Sequence, residues 1–242
     1  MNKFIRLFII SAALFLGVSA FAQADLPAFN GSASVGYTSR LIDSGMRVGD
    51  ATTIVNVGLG YESFRLDFAS YIPTLISRDR VRAHFGREDL TGSYRFVSSL
   101  VDLTLGARYQ HFDDVGAGAV QSHLQPFVRL SDRLADFPVY VQARYDLRTK
   151  GVNLEGGAGV SFDVGMGVRA MPAVYVGYND IADSLPRSVR EIKADNRYYG
   201  ATLSLERNVL GGVLKVMGGH NRADRSFANT TTYYSAQYSL TF

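Results

Sequence analysis

Residues 231–242 read TTYYSAQYSLTF and alternate to the last position. Tyr234, Ala236, Tyr238, Leu240 and Phe242 fall on one side of an extended chain. Tyr233, Ser235, Gln237, Ser239 and Thr241 fall on the other. Successive side chains of a strand point to opposite faces, so this is a strand with one apolar and one polar face. The pattern recurs upstream. Val101, Leu103, Leu105, Ala107 and Tyr109 oppose Asp102, Thr104, Gly106, Arg108 and Gln110. Val139, Val141, Ala143, Tyr145 and Leu147 oppose Tyr140, Gln142, Arg144, Asp146 and Arg148.

Working outward, the same period predicts twelve strands, near 32–40, 52–61, 63–73, 88–97, 100–111, 119–130, 137–148, 154–163, 167–178, 196–206, 212–221 and 231–242. A miscounted hairpin would make them ten or fourteen. Each is close to the ~9–11 residues with which a tilted strand crosses a bilayer. Connections are short at Glu62, Ser98-Ser99, around Gly165 and at Leu210-Gly211. They are longer at 41–51, 74–87, 179–196 and 222–230, and Ser131–Asp136 is also long. Short turns at one end and long loops at the other, with an even strand count, predict an all-β, closed antiparallel transmembrane barrel. A soluble sandwich would need the polar face as its core, and that face is rich in Gly, Ser, Thr, Asn, Gln and Arg. Closure with the apolar face toward lipid satisfies every backbone group. Pro126 and Pro172 fall inside predicted strands, where each demands a bulge or a shifted boundary.

Composition agrees. The 242 residues are 47% hydrophobic and 19% charged, with 14 Tyr, 15 Phe, 24 Gly, no Trp and no Cys. Without cysteine there is no disulfide scaffold and no thiolate metal site. His84, His111, His123 and His220 do not make a histidine-rich metal centre, and Asp43, Asp50 and Asp113-Asp114 lack calcium-loop spacing. Neither a metal nor a cofactor is expected.

Residues 1–24 carry Lys3 and Arg6, an apolar run from Leu7 to Val18, and small-x-small sites ending at Ala22 and Ala24. This is the pattern of a secretory signal peptide, residues 1–22, cleaved after Ala22 or Ala24, ahead of a barrel over 25–242. Its apolar run is too short for a spanning helix. Removing Lys3 and Arg6 lowers the formal charge from +3 to +1, so nucleic acid is not an expected partner.

The terminal Phe242, preceded by Leu240, Tyr238, Ala236 and Tyr234 at alternate positions, resembles the C-terminal signature of Gram-negative outer-membrane β-barrels. Tyr37, Arg40 and Gly45 are distantly similar to the opening of small porin-like proteins. The resemblance implies insertion in the bacterial outer membrane, contact with its lipid and lipopolysaccharide, and reading of Tyr234, Tyr238, Leu240 and Phe242 by the barrel-assembly machinery. The family's tryptophan girdle is missing, so Tyr and Phe must supply it.

The polar faces would line a lumen. They carry Arg40, Arg65, Arg95, Arg108, Arg129, Arg144, Arg148, Arg169 and Lys215, against Asp67, Asp102, Asp146, Glu155, Asp163 and Glu206. One wall is charged and bulky. The other holds Gly157, Gly159, Ser161, Ser235, Gln237, Ser239, Ser32, Ser34, Gly36, Asn56 and Gly58. Two readings stay open. In one, the arginines bias a water-filled path toward anions, giving passive passage of small hydrophilic solutes with a mild anion preference. In the other, arginines and carboxylates pair across the lumen and fill a structural or surface-binding barrel. The small-residue wall favours the path. A third reading, an outer-membrane lipase or deacylase, would need a nucleophile beside His111 or His123. No nucleophile elbow is readable, so no enzyme is expected. Ser77–His84, running on to Arg87-Glu88-Asp89, is expected to face outward as a charged loop, and Asp180–Lys193 to form a short amphipathic turn near the mouth.

Overall fold

A computed structural model describes residues 29–44, 46–74, 86–99, 101–112, 122–132, 137–180, 195–224 and 230–242. The elements are β1 (Phe29–Thr38), β2 (Leu41–Asp43), β3 (Met46–Gly49), β4 (Thr52–Tyr61), β5 (Phe64–Pro73), β6 (Arg87–Val97), β7 (Val101–Phe112) and β8 (Ser122–Asp132). They continue with β9 (Val139–Tyr145), β10 (Val152–Gly159), β11 (Phe162–Gly165), β12 (Val168–Asp180), β13 (Asp195–Val209), β14 (Gly212–Ala223) and β15 (Thr231–Thr241). β11 prolongs β10 along the same partner, β12, so the large sheet has twelve staves. All are antiparallel to their neighbours, and β1 meets both β4 and β15, which closes the barrel.

The seam is well paired. Ser32 to Thr38 of β1 run against Thr241 to Ser235 of β15. Gly31 N donates to Phe242 O at 2.7 Å and Phe242 N to Gly31 O at 3.0 Å. The Phe242 ring occupies the place a Cβ on residue 31 would need, so a larger residue there would push the ring aside.

The molecule is inside-out relative to a soluble domain. Among the described residues only Ala33, Ala51, Ala170 and Tyr198 are buried apolar groups, whereas sixteen polar or charged residues are buried. Val35, Leu66, Leu105, Val141, Val174 and Leu203 stand exposed on the outer face. Aromatic residues mark its two edges. Phe29 and Tyr61 (centroids 4.8 Å apart) and Tyr94 and Phe96 (4.7 Å) lie at the end with tight turns. Tyr109, Tyr145, Tyr199 and Tyr234 lie outward near the end with long connections. At two tight turns, Met166-Gly167 and Leu210-Gly211, both residues have positive φ. Such turns match the right-handed twist of the flanking strands.

Three features depart from the sequence expectation. The connection 41–51 is not a plain loop, because β2 and β3 form a separate two-stranded hairpin within it. The prolines sit neither at bulges nor beyond the strand ends. Pro172 lies between the two ladders of β12: Gly159 pairs with Ala173 and Phe162 with Ala170. Val160 N still donates to Pro172 O at 3.0 Å, and the return bond has no N–H to make it. This gap is why β10 and β11 are separate. Pro126 likewise pairs with Ala107 of β7 but lies one residue beyond the β8–β9 ladder, which stops at Phe127 opposite Arg144. The leader 1–24, the charged run 77–84, Asp113-Asp114 and 181–193 lie outside the described residues.

The lipid-facing assignment is testable at mid-strand. Val174 is 60% exposed on the outer face of β12. Val174→Arg should cost about 2–4 kcal/mol of folding free energy in vesicles. Ala173→Ser on the opposite face should stay within about 0.5 kcal/mol. Urea titration in lipid measures both.

Candidate functional site

The inner face is identified by contacts that only the interior permits. Arg87 of β6 and Arg144 of β9 are three staves apart, and both reach Asp43 on the hairpin β2–β3. Cross-strand register then carries the face around the barrel: Arg108 opposes Gln125, Arg144 opposes Asn153, Asn179 opposes Asn196, and Glu206 opposes Lys215.

The charged groups on this face fall into two sets. Toward the tight turns they pair locally. Arg65 Nε donates to both oxygens of Asp67 at 2.9 and 2.8 Å, and its Nη2 reaches Ser32 Oγ at 3.0 Å. Arg95 pairs with Asp102, and Lys215 Nζ lies 2.8 Å from Glu206. Arg169 stands in register with both Asp163 and Glu206. Arg129 stacks over the Tyr140 ring, 4.3 Å from its centroid. Glu155 accepts from Tyr140 and Tyr198, each at 2.8 Å.

The second set lies toward the long connections. Asp43 Oδ2 is 2.8 Å from Arg87 and 3.5 Å from Arg108; its Oδ1 is 3.5 Å from Arg144. Asp89 adds a second carboxylate, 2.9 Å from Arg87. Three guanidinium groups therefore converge on two carboxylates. Beside this cluster is a cavity of about 220 Å³, lined also by Gln110, Gln125, His123 and two further carboxylates, Asp146 and Asp180. Only 16% of the Asp43 side chain is exposed. Burial alone would raise its pKa, but Arg108, Arg87 and Arg144 outweigh that and hold the carboxyl well below the usual carboxylate range. Asp146, just past β9, shows the same balance. Burial opposes ionisation, while bonds from His123 (2.5 Å), the Thr149 backbone and Gln125 keep its carboxyl low.

Among the residues expected on the lumen face, the structure brings Arg108, Arg144 and Asp146 to this cavity. Arg65, Arg95, Arg129, Arg169, Lys215, Asp67, Asp102 and Glu155 lie elsewhere on the same face. Arg40 follows β1 and donates to Thr232 O at 2.9 Å. Arg148 is an exposed turn residue whose backbone N donates to Asp146 Oδ1 at 2.9 Å. Two expectations are corrected. Arg87 and Asp89 are not outward loop residues: β6 begins at Arg87, and they are 4% and 3% exposed on its inner face. Carrying the alternation of 91, 93 and 95 back by two steps would have found them. The small-residue wall is also less bare than its sequence. The Tyr140 ring lies over Gly157, and Asp67, Arg65 and Ser32 crowd Gly58. Asp43 had no local signal, because its arginine partners are 44 or more residues away.

A serine–histidine contact lies outside the lumen. His111 Nδ1 is 3.0 Å from Ser122 Oγ, which also accepts from Tyr109 OH at 3.1 Å. Glu88 is the cross-strand neighbour of His111 on the same outer face.

No protein-family model and no curated protein sequence matches the chain. Solved structures do match in shape. The KdgM porin has a TM-score of 0.58 at 12% identity, over 87% of this chain and 99% of that one. A second structure of that porin is described as a complex with disordered oligogalacturonate, at TM-score 0.57 and 11% identity, over 88% and 99%. An outer-membrane channel from Pseudomonas putida F1 gives 0.52 at 10% identity, over 89% and 95%. The NanC porin gives 0.51 at 10% identity, over 86% and 97%. The fold is that of porin-like outer-membrane barrels.

The Asp43 contacts carry a pH signature. A group with a depressed native pKa stabilises above its unfolded value, about 3.9, and loses that contribution as pH falls through the native value. The hairpin should therefore stay docked from pH 8 to about 5 and loosen only below about pH 4. Spin labels at Val48→Cys and Tyr178→Cys report the distance. Release well above pH 5 would show that the Asp43 carboxylate does not hold the hairpin.

Proposed function

We propose that the mature chain sits in the bacterial outer membrane as a porin-like channel, passing small hydrophilic solutes by diffusion with a mild anion preference. The leader 1–22 would direct export. The outward row Tyr234, Tyr238, Leu240 and Phe242 would be read by the barrel-assembly machinery, and membrane lipid and lipopolysaccharide would surround the finished barrel.

The observation that carries the anion preference is the convergence of three guanidinium groups at the mouth cavity. Arg87, Arg108 and Arg144 meet there on Asp43, and the other carboxylates of the site are engaged elsewhere, Asp89 by Arg87 and Asp146 by His123 and Gln125. Fixed positive charge in such a place raises the local concentration of anions and disfavours cations. Farther down, Arg65, Arg95 and Lys215 are matched by carboxylates one or two residues away across or along the sheet. They hold the wall together and contribute little net field. The similarity to a porin solved with oligogalacturonate, a carboxylated sugar polymer, supports the same preference. A filled barrel finds its support in the Asp43 network, but that network occupies one level of the interior and has a cavity beside it.

A second reading, ester hydrolysis at the membrane surface, rests on the Ser122–His111 contact with Glu88 opposite. Acyl transfer also needs free donors aimed at the developing oxyanion. The neighbouring segments of β7 and β8 are committed to their ladder, which ranks this reading below the channel.

Liposome swelling tests the channel. Galacturonate should enter faster than galactose at low salt. Arg108→Gln combined with Arg144→Gln should remove most of that advantage, which steering by charge can make about tenfold. Ser122→Ala should leave swelling unchanged, and an assay with a fluorogenic ester should show no hydrolysis that depends on Ser122.

A further inference from the structure

The arginines at the mouth are each held twice. Arg87 Nη2 donates to Asp89 at 2.9 Å, and its guanidinium lies 4.0 Å from the Tyr71 ring centroid. Arg108 donates to Gln125 Oε1 from Nε at 3.1 Å and from Nη2 at 2.6 Å. Arg144 donates to Asn153 Oδ1 from Nε at 3.2 Å and from Nη2 at 3.0 Å. All these anchors belong to the barrel wall. Asp43 is an additional partner, and its removal leaves each guanidinium still oriented.

The hairpin that delivers Asp43 is weakly tied. β2 and β3 have three and four residues and form a sheet of their own, with no ladder to the barrel. A two-stranded ribbon of this size has little stability by itself. Asp43 ties it to the wall arginines, and Ser44 Oγ accepts from Arg144 Nη2 at 2.9 Å, while Arg47 pairs with Asp50 just past β3.

We infer that Asp43 stands in for a ligand: Arg87, Arg108 and Arg144 form a preorganised carboxylate site that an anionic solute occupies by displacing the hairpin. The carboxylate class follows from how Asp43 sits. One oxygen serves Arg87 and Arg108 while the other serves Arg144, a two-oxygen span that a monatomic anion cannot reproduce. Displacement removes the carboxylate shared by all three guanidiniums, so the vacated site attracts an anion more strongly than the latched one, although Asp89, Asp146 and Asp180 remain nearby. The adjoining cavity leaves room for the rest of a small solute. This inference rests on the channel reading for its biological purpose, but its test does not require conduction.

The test is calorimetric titration of the full refolded barrel in detergent, with folding checked by heat-modifiable gel mobility. D-Glucuronate is the probe and D-glucose the neutral control. Asp43→Asn should tighten glucuronate binding roughly tenfold, because the site no longer pays for opening. Ser44→Ala, which keeps the Asp43 charge and removes one tie, should tighten it about threefold. Arg144→Gln in the Asp43→Asn background should reverse the gain. Equal affinity in wild type and Asp43→Asn would overturn the inference, as would no discrimination from glucose or equal competition by chloride. A chain that conducts anions yet shows no such shift refutes the displaceable latch and keeps the channel. A chain that shows the shift without conducting refutes the channel and keeps the site.

Discussion

Lipid offers no hydrogen bonds, so every backbone N–H and C=O at membrane depth must find its partner in the sheet. The rest of the structure follows from that demand. Twelve staves close through β1 and β15, and no edge is left open. Closure sends one face of every strand to lipid and the other inward, which is why Val35, Val141 and Val174 are exposed while Asp102, Asn196 and Asn221 are buried. The two prolines mark the places where the demand goes partly unmet. Each lies in a local lapse of one ladder, beside a neighbour that is fully paired.

An enclosed polar face must then satisfy itself. Glycine and tyrosine do much of this on β9 to β14: Tyr198 lies over Gly177, Tyr175 over Gly200 and Tyr140 over Gly157. Large rings laid over residues without side chains fill the wall and shield its ladder. Their hydroxyls then reach Glu155 and Asn221. Charges near the tight turns cancel in pairs. Near the long connections three arginines converge instead of pairing one by one, and there the chain folds its own hairpin onto them. Local pairing along most of the lumen makes the mouth the place where the proposed selectivity would arise.

Fold and site were unequally legible. Period-two alternation is local, so a single strand such as 231–242 displays it, and twelve repetitions settle the architecture. Arg108, Arg144 and Asp146 were placed on the inner face by the same alternation. What alternation cannot show is a contact between distant parts of the chain. Asp43 meets Arg87, Arg108 and Arg144 across 44 to 101 residues, through a hairpin too short to announce itself. Arg87 and Asp89 were missed for a different reason. Their charge made them look like loop, although they continue the inner row of β6. The small-residue wall misled because a glycine's neighbours, and not the glycine, decide whether the space above it is empty.

The central claim is that the mouth arginines set the selectivity of a water-filled path. The most direct measurement is the reversal potential of the refolded mature chain in a planar bilayer across a potassium chloride gradient. Discrete current steps with a reversal potential displaced toward that of chloride are the predicted result. A verified folded barrel that stays silent, or that conducts with a cation-selective potential, would contradict the account.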